Sequence, residues 1–92
     1  MGSVIISFKI FPSDADVDLK SLQSKIDDEM PKYASIYRFA EEPIAFGLNA
    51  LVAHIVIPED QPGGLDEVEK RLQKIAEIGQ IQTLMVRKAT TL

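Results

Sequence analysis

The sequence predicts an α+β domain of split βαβ type, a four-stranded antiparallel sheet carrying both helices on one face. Three observations support it. Four short segments read as strands, the first with two-residue alternation of apolar side chains and the third apolar on both faces. Two segments between them repeat apolar residues at helical spacing. Proline and glycine clusters punctuate the chain so that the order is strand, helix, strand, strand, helix, strand.

The first strand runs from Val4 to Phe11, with Val4, Ile6, Phe8 and Ile10 on one face and Ser7 and Lys9 on the other. Pro12-Ser13-Asp14 ends it, and Asp16 or Asp18 can then cap a helix by accepting from an unpaired backbone N–H. Leu19, Leu22, Ile26 and Met30 share one face of that helix, and Pro31 stops it. Ser35 to Ala40 reads as a second strand, broken by Glu41-Glu42-Pro43, since proline cannot donate to a sheet ladder. Leu48 to Ile57 is apolar on both faces, as a central strand is. Pro58 to Gly64 is a loop. The second helix carries Leu65, Val68, Leu72 and Ile75 on one stripe, acidic residues first and basic ones later, as the helix dipole favours. Gly79 ends it, and Ile81 to Val86 forms the last strand, before the basic pair Arg87-Lys88.

The 92 residues, 46% apolar and 26% charged, describe one domain spanning 1–92. A chain of this size buries about 60–65% of the surface its unfolded form exposes, so it has one core. No run approaches the roughly 18–20 apolar residues of a membrane span. No secretory signal is expected. Met1-Gly2 would suggest myristoylation only with Ser or Thr where Ile6 stands. The absence of cysteine rules out disulfides and thiol chemistry and fits a cytoplasmic protein. A net charge of −4 argues against direct nucleic-acid binding and suits a basic protein partner.

Familiar chemical motifs are missing. Gly63-Gly64 precedes a helix, but no Walker lysine follows, and Asp66 and Glu67 would repel an anion, so a plain turn is the better reading. His54 is the single histidine and, without cysteine, makes no typical zinc site; a structural or surface role fits it better. Nor does the chain hold the usual nucleophile–base pairs. Asp14, Asp16 and Asp18 lack the glycine and terminal glutamate of a calcium loop, which leaves capping and solvation. An RNA-recognition module shares the strand order but needs aromatics displayed together; Phe8 and Phe11 fall on opposite faces, and the third strand has no aromatic.

Two stretches go beyond a generic fold. One is Glu41-Glu42-Pro43-Ile44-Ala45-Phe46-Gly47-Leu48, continuing into Asn49-Ala50-Leu51. The other is Met1-Gly2-Ser3-Val4, leading through Ile10-Phe11-Pro12 to Asp16-Val17-Asp18-Leu19. With Gly63-Gly64 and Val86-Arg87-Lys88, the whole chain resembles the short, free-standing archaeal form of elongation factor 1-beta. The resemblance implies the ferredoxin-like fold and a non-enzymatic role: exchange of GDP for GTP on elongation factor 1-alpha, the GTPase that delivers aminoacyl-tRNA to the ribosome. It also implies a basic residue near the C-terminus directed at the GTPase's magnesium site, which by position is Lys88, with Arg87 adjacent. Glu42, Pro43, Ile44, Ala45 and Phe46 become the expected contact loop, although core packing is the commoner use of a residue like Phe46. Gly47 is expected to serve backbone geometry.

Two departures stand out. Glu41 occupies a position that is aromatic in the eukaryotic relative, so that contact does not carry over. Ala89-Thr90-Thr91-Leu92 follow a lysine that sits almost at the chain end elsewhere in the family. No cofactor and no metal on this chain are expected, no direct nucleic-acid or membrane contact, and a monomer when free. The competing reading is a ferredoxin-like regulatory domain binding a small metabolite, which needs polar groups converging on a concave site. A ferredoxin-like enzyme using carboxylates ranks last, because no acid–base pair stands out.

Overall fold

The computed structural model describes residues 2–89. Its elements are β1 (Ser3–Pro12), α1 (Leu19–Glu29), β2 (Ser35–Pro43), β3 (Asn49–Pro58), α2 (Gly64–Gln73) and β4 (Ile78–Ala89). The strands form one antiparallel sheet in the order β2-β3-β1-β4, the ferredoxin-like arrangement the sequence predicts.

Register fixes the two faces of the sheet. Val4, Ile6, Phe8 and Ile10 of β1 lie opposite Ile57, Ile55, Ala53 and Leu51 of β3. These residues cluster with Leu22 and Ile26 of α1 and Val68 and Leu72 of α2 in the core, which places both helices on that face. Phe8, Ile6 and Leu72 are among its largest fully buried side chains. The other face carries no helix and is called the open face below.

Asp18 caps α1, its Oδ1 accepting from the Lys20 N–H at 3.0 Å. Asp14 is occupied in its own turn, accepting from the Asp16 N–H at 2.8 Å. Gly63 stands at the start of α2 with φ +64, where an L side chain would be strained. Arg71 ties the helices together, donating to the Glu29 carbonyl at 3.2 Å while it pairs with Glu67 at 2.9 Å.

Several boundaries differ from the sequence reading, β4 beginning at Ile78 rather than Ile81 among them. The second strand continues through Glu41-Glu42 to Pro43, because β2 is an edge strand whose ends tolerate charge and a missing donor. Helix α2 ends at Gln73 rather than Gly79. Gly79 lies inside β4, where a Cβ would come within 3.0 Å of the Ser13 Cα. Most important for function, β4 runs on to Ala89 instead of stopping at Val86. Arg87 and Lys88 are therefore strand residues, and successive strand residues face opposite ways.

Candidate partner-binding surfaces

The β2–β3 turn is built on two residues with positive φ, Phe46 at +55 and Gly47 at +77. The Leu48 N–H closes it by donating to the Ala45 carbonyl at 2.9 Å, and the Ile44 N–H donates to the Leu48 carbonyl at 2.9 Å. Two consecutive positive-φ residues define the type I′ hairpin turn, which matches the twist of the flanking strands. Glycine satisfies this without strain; phenylalanine does not. The Phe46 side chain is fully solvent-exposed, at 101% of its reference surface, and Ile44 and Leu48 beside it are exposed as well. Core packing is thus not its role. An aromatic is thus held in a strained backbone with no internal contact to justify it, which makes this hairpin tip a candidate binding feature.

Behind the tip the two glutamates part. Glu41 pairs with Leu51 on the helix side, and Glu42 pairs with Ala50 on the open face, where it binds the Lys9 ammonium at 3.2 Å. A shallow cleft of about 360 Å³ lies between the turn and the β1–α1 loop, lined in part by Asp14, Asp18, Glu41 and Leu48. Asp14 and Asp18 are already engaged with backbone N–H groups. Among the described residues no cluster of three or more potential metal ligands occurs.

Lys88 lies at the other end of the sheet. It pairs with Val4, on the helix side of the sheet plane, and its side chain is 73% exposed. The ammonium meets the Glu59 carboxylate at 2.9 Å. Glu59 belongs to the β3–α2 loop, and its backbone N–H is pinned to the Gly2 carbonyl at 3.0 Å. Arg87 pairs with Ile5 and projects on the open face. The adjacent basic residues are therefore not interchangeable. Thr90, Thr91 and Leu92, most of the tail expected to bear on Lys88, lie outside the described residues.

The residues singled out by the sequence thus form two groups rather than one. Pro43 pairs with Asn49 at one end of β3, whereas Pro58 at its other end pairs with Ser3, whose β4 partner is Ala89. At about 3.3 Å per residue, the length of β3 puts the hairpin tip and Lys88 about 30 Å apart. The molecule's longest extent is 43 Å, so the two groups occupy its two ends.

The open face holds what sequence reading missed. Ser7 and His54 face each other across β1 and β3, Ser7 Oγ lying 2.8 Å from His54 Nδ1. Burial, then the positive charges of Arg38 and Arg87, push the imidazole pKa below its ordinary 6.5. The signal was present as the alternate residues of each strand, but without strand order nothing showed which would become neighbours.

Residues 5–91 match the family model described as the EF-1 guanine nucleotide exchange domain. Elongation factor 1-beta of Methanobrevibacter smithii is 39% identical over 88 residues, covering 96% of this chain and 98% of that protein. The elongation factor 1-beta proteins of Hyperthermus butylicus and Saccharolobus islandicus are each 34% identical over 88 residues, covering 96% of this chain and 96% and 97% of their own lengths. Among solved structures, the C-terminal domain of the MgtC protein from Mycobacterium tuberculosis superposes with a TM-score of 0.62 over 95% of this chain and 87% of that one. At 11% identity it shares the fold alone. The hairpin tip and Lys88 both fall inside the matched region, and the chain belongs to the elongation factor 1-beta family of guanine-nucleotide exchange factors, which are not enzymes.

Proposed function

We propose that this chain binds elongation factor 1-alpha in the cytoplasm and speeds replacement of GDP by GTP, with Lys88 as the group that disturbs the GTPase's magnesium site. The observation that carries this reading is an exposed lysine at one tip of a domain whose family is shown. An ammonium brought beside a bound dication is repelled by it, and in a site of low dielectric that repulsion is strong. Loss of the ion removes part of what holds the diphosphate, and GTP then enters by mass action. The factor acts by binding the loosened state better than the closed one; each ~1.4 kcal/mol of that preference speeds release about tenfold.

Two features of the chain support the assignment of roles. Lys88 is anchored by its strand while its side chain is 73% exposed, so it can reach outward without unfolding anything. Its ion pair with Glu59 must open, which costs up to about 1 kcal/mol for so exposed a pair. The hairpin tip gives a second, apolar hold about 30 Å away by strand geometry. It lets binding energy from one end support disruption at the other.

The direct test follows release of a fluorescent GDP analogue from the cognate elongation factor 1-alpha as the factor is added. Acceleration at micromolar factor is expected; an unchanged rate would sink the reading.

A further inference from the structure

The open face has a charge opposite to that of the molecule. Three of the ten cationic residues, Lys9, Arg38 and Arg87, stand on it, but only one of the fourteen acidic ones, Glu42. The remaining carboxylates lie on the helices, in the loops, or, as with Glu41, on the helix side of the sheet. Lys9 and Glu42 neutralise each other at 3.2 Å. Among the described residues, Arg38 and Arg87 enter no ion pair.

Register aligns these groups in rows across the strands. Arg38, His54, Ser7 and Met85 form one row; Ser35, Val56, Ile5 and Arg87 form the next. Ile5 and Val52 are buried at the centre although no helix covers this side, while Met85 is 43% exposed. The face is therefore a floor of aliphatic residues interrupted by the Ser7–His54 pair, rimmed by two guanidinium groups that enter no ion pair among the described residues. Arginine is suited to an interface of this kind, since its planar fork receives a carboxylate bidentately and its weak hydration makes burial less costly.

We propose that the open face docks on a carboxylate-bearing surface of the same GTPase, with Arg38 and Arg87 as the paired groups. This rests on the reading of the chain as an exchange factor for that GTPase. Strand spacing and rise give the face about 400 Å², roughly half of what one partner contributes to a standard interface. The two tips adjoin it, Arg87 beside Lys88 and Glu42 beside the turn, so the face joins them into one continuous surface. Nucleic acid fits less well. Phe11 lies at its far end and the exposed Tyr37 at the β2 bulge, several register positions away, so no two aromatics are displayed together for stacking.

The test measures the Kd of the GTPase for the full chain and for Arg38→Glu/Arg87→Glu at low and high salt. Charge reversal is expected to raise Kd at least tenfold at low salt, with the gap closing as salt rises. Lys70→Glu/Lys74→Glu, on the helical side, should change Kd less than twofold. Wild-type binding together with an unchanged Kd for the arginine reversal overturns the docking proposal and leaves the exchange reading standing. No binding by the wild type overturns both. Capture of a labelled RNA oligonucleotide by the wild type but not by the reversal overturns it in favour of nucleic acid.

Discussion

In the proposed mechanism the Lys88–Glu59 ion pair must open before the ammonium can act. An ion pair between exposed side chains contributes at most about 1 kcal/mol, so Glu59→Gln should leave stability within about 1 kcal/mol of wild type. It should also relieve the exchange step of that opening cost, raising the release rate up to about fivefold. Rates of GDP release at saturating factor check this; a slower release would instead assign Glu59 to positioning the ammonium. His54 has a different consequence. Its folded pKa lies below 6.5, so as pH falls through 6.5 the unfolded chain takes up a proton that the native imidazole still refuses. Stability from this group is complete above 6.5 and is lost as pH drops towards the folded value. His54→Gln should therefore flatten the fall in Tm between pH 7 and pH 5, and an equally steep fall would place the titration elsewhere. Lys88 could be named from its place in the chain, but its ion pair joins it to a loop 29 positions earlier, and only the fold brings them together.

At the level of elements, the β2–β3 hairpin sets stability against function. Phe46 at φ +55 stores strain of order 1–3 kcal/mol, whereas asparagine is at home at the first position of a type I′ turn. Phe46→Asn should raise stability by about 1 kcal/mol, which for a domain of this size moves Tm by about 4–8 °C. It should also weaken binding to the GTPase by removing the exposed ring. A stabilised variant with full affinity would show that the aromatic is idle. At α1 the sign is opposite: Asp18→Ala removes the cap and should cost about 1 kcal/mol in denaturant unfolding. The helices and the central strands β1 and β3 were legible in the sequence because periodic apolar residues build them. The edge strands were legible only in their apolar parts. Glu41-Glu42 and Arg87-Lys88 continue β2 and β4 because a neighbouring strand supplies hydrogen bonds, whatever the side chains are. That hidden extension is also why Arg87 and Lys88 looked alike in sequence and differ in space. Phe46 misled for a related reason, since an aromatic beside a strand reads as core unless the turn type is known.

In the molecule as a whole, the sheet holds the two candidate contacts at opposite ends of a 43 Å body. The core that sets the spacing is small, and Phe8→Ala at its centre should cost about 3–5 kcal/mol, enough to abolish exchange through unfolding alone. Surface variants at either tip should leave the fold intact, so their effects can be read as binding or exchange. Lys88 is proposed to act through the GTPase's magnesium ion. The most direct test of this measures fluorescent GDP release at saturating factor, for wild type and Lys88→Ala, with magnesium present and with magnesium chelated. Lys88→Ala is expected to bind still but to lose most of the acceleration in magnesium, and the two factors are expected to become equal once the ion is removed. Full acceleration by Lys88→Ala in magnesium, or a wild-type advantage that survives chelation, would contradict this mechanism.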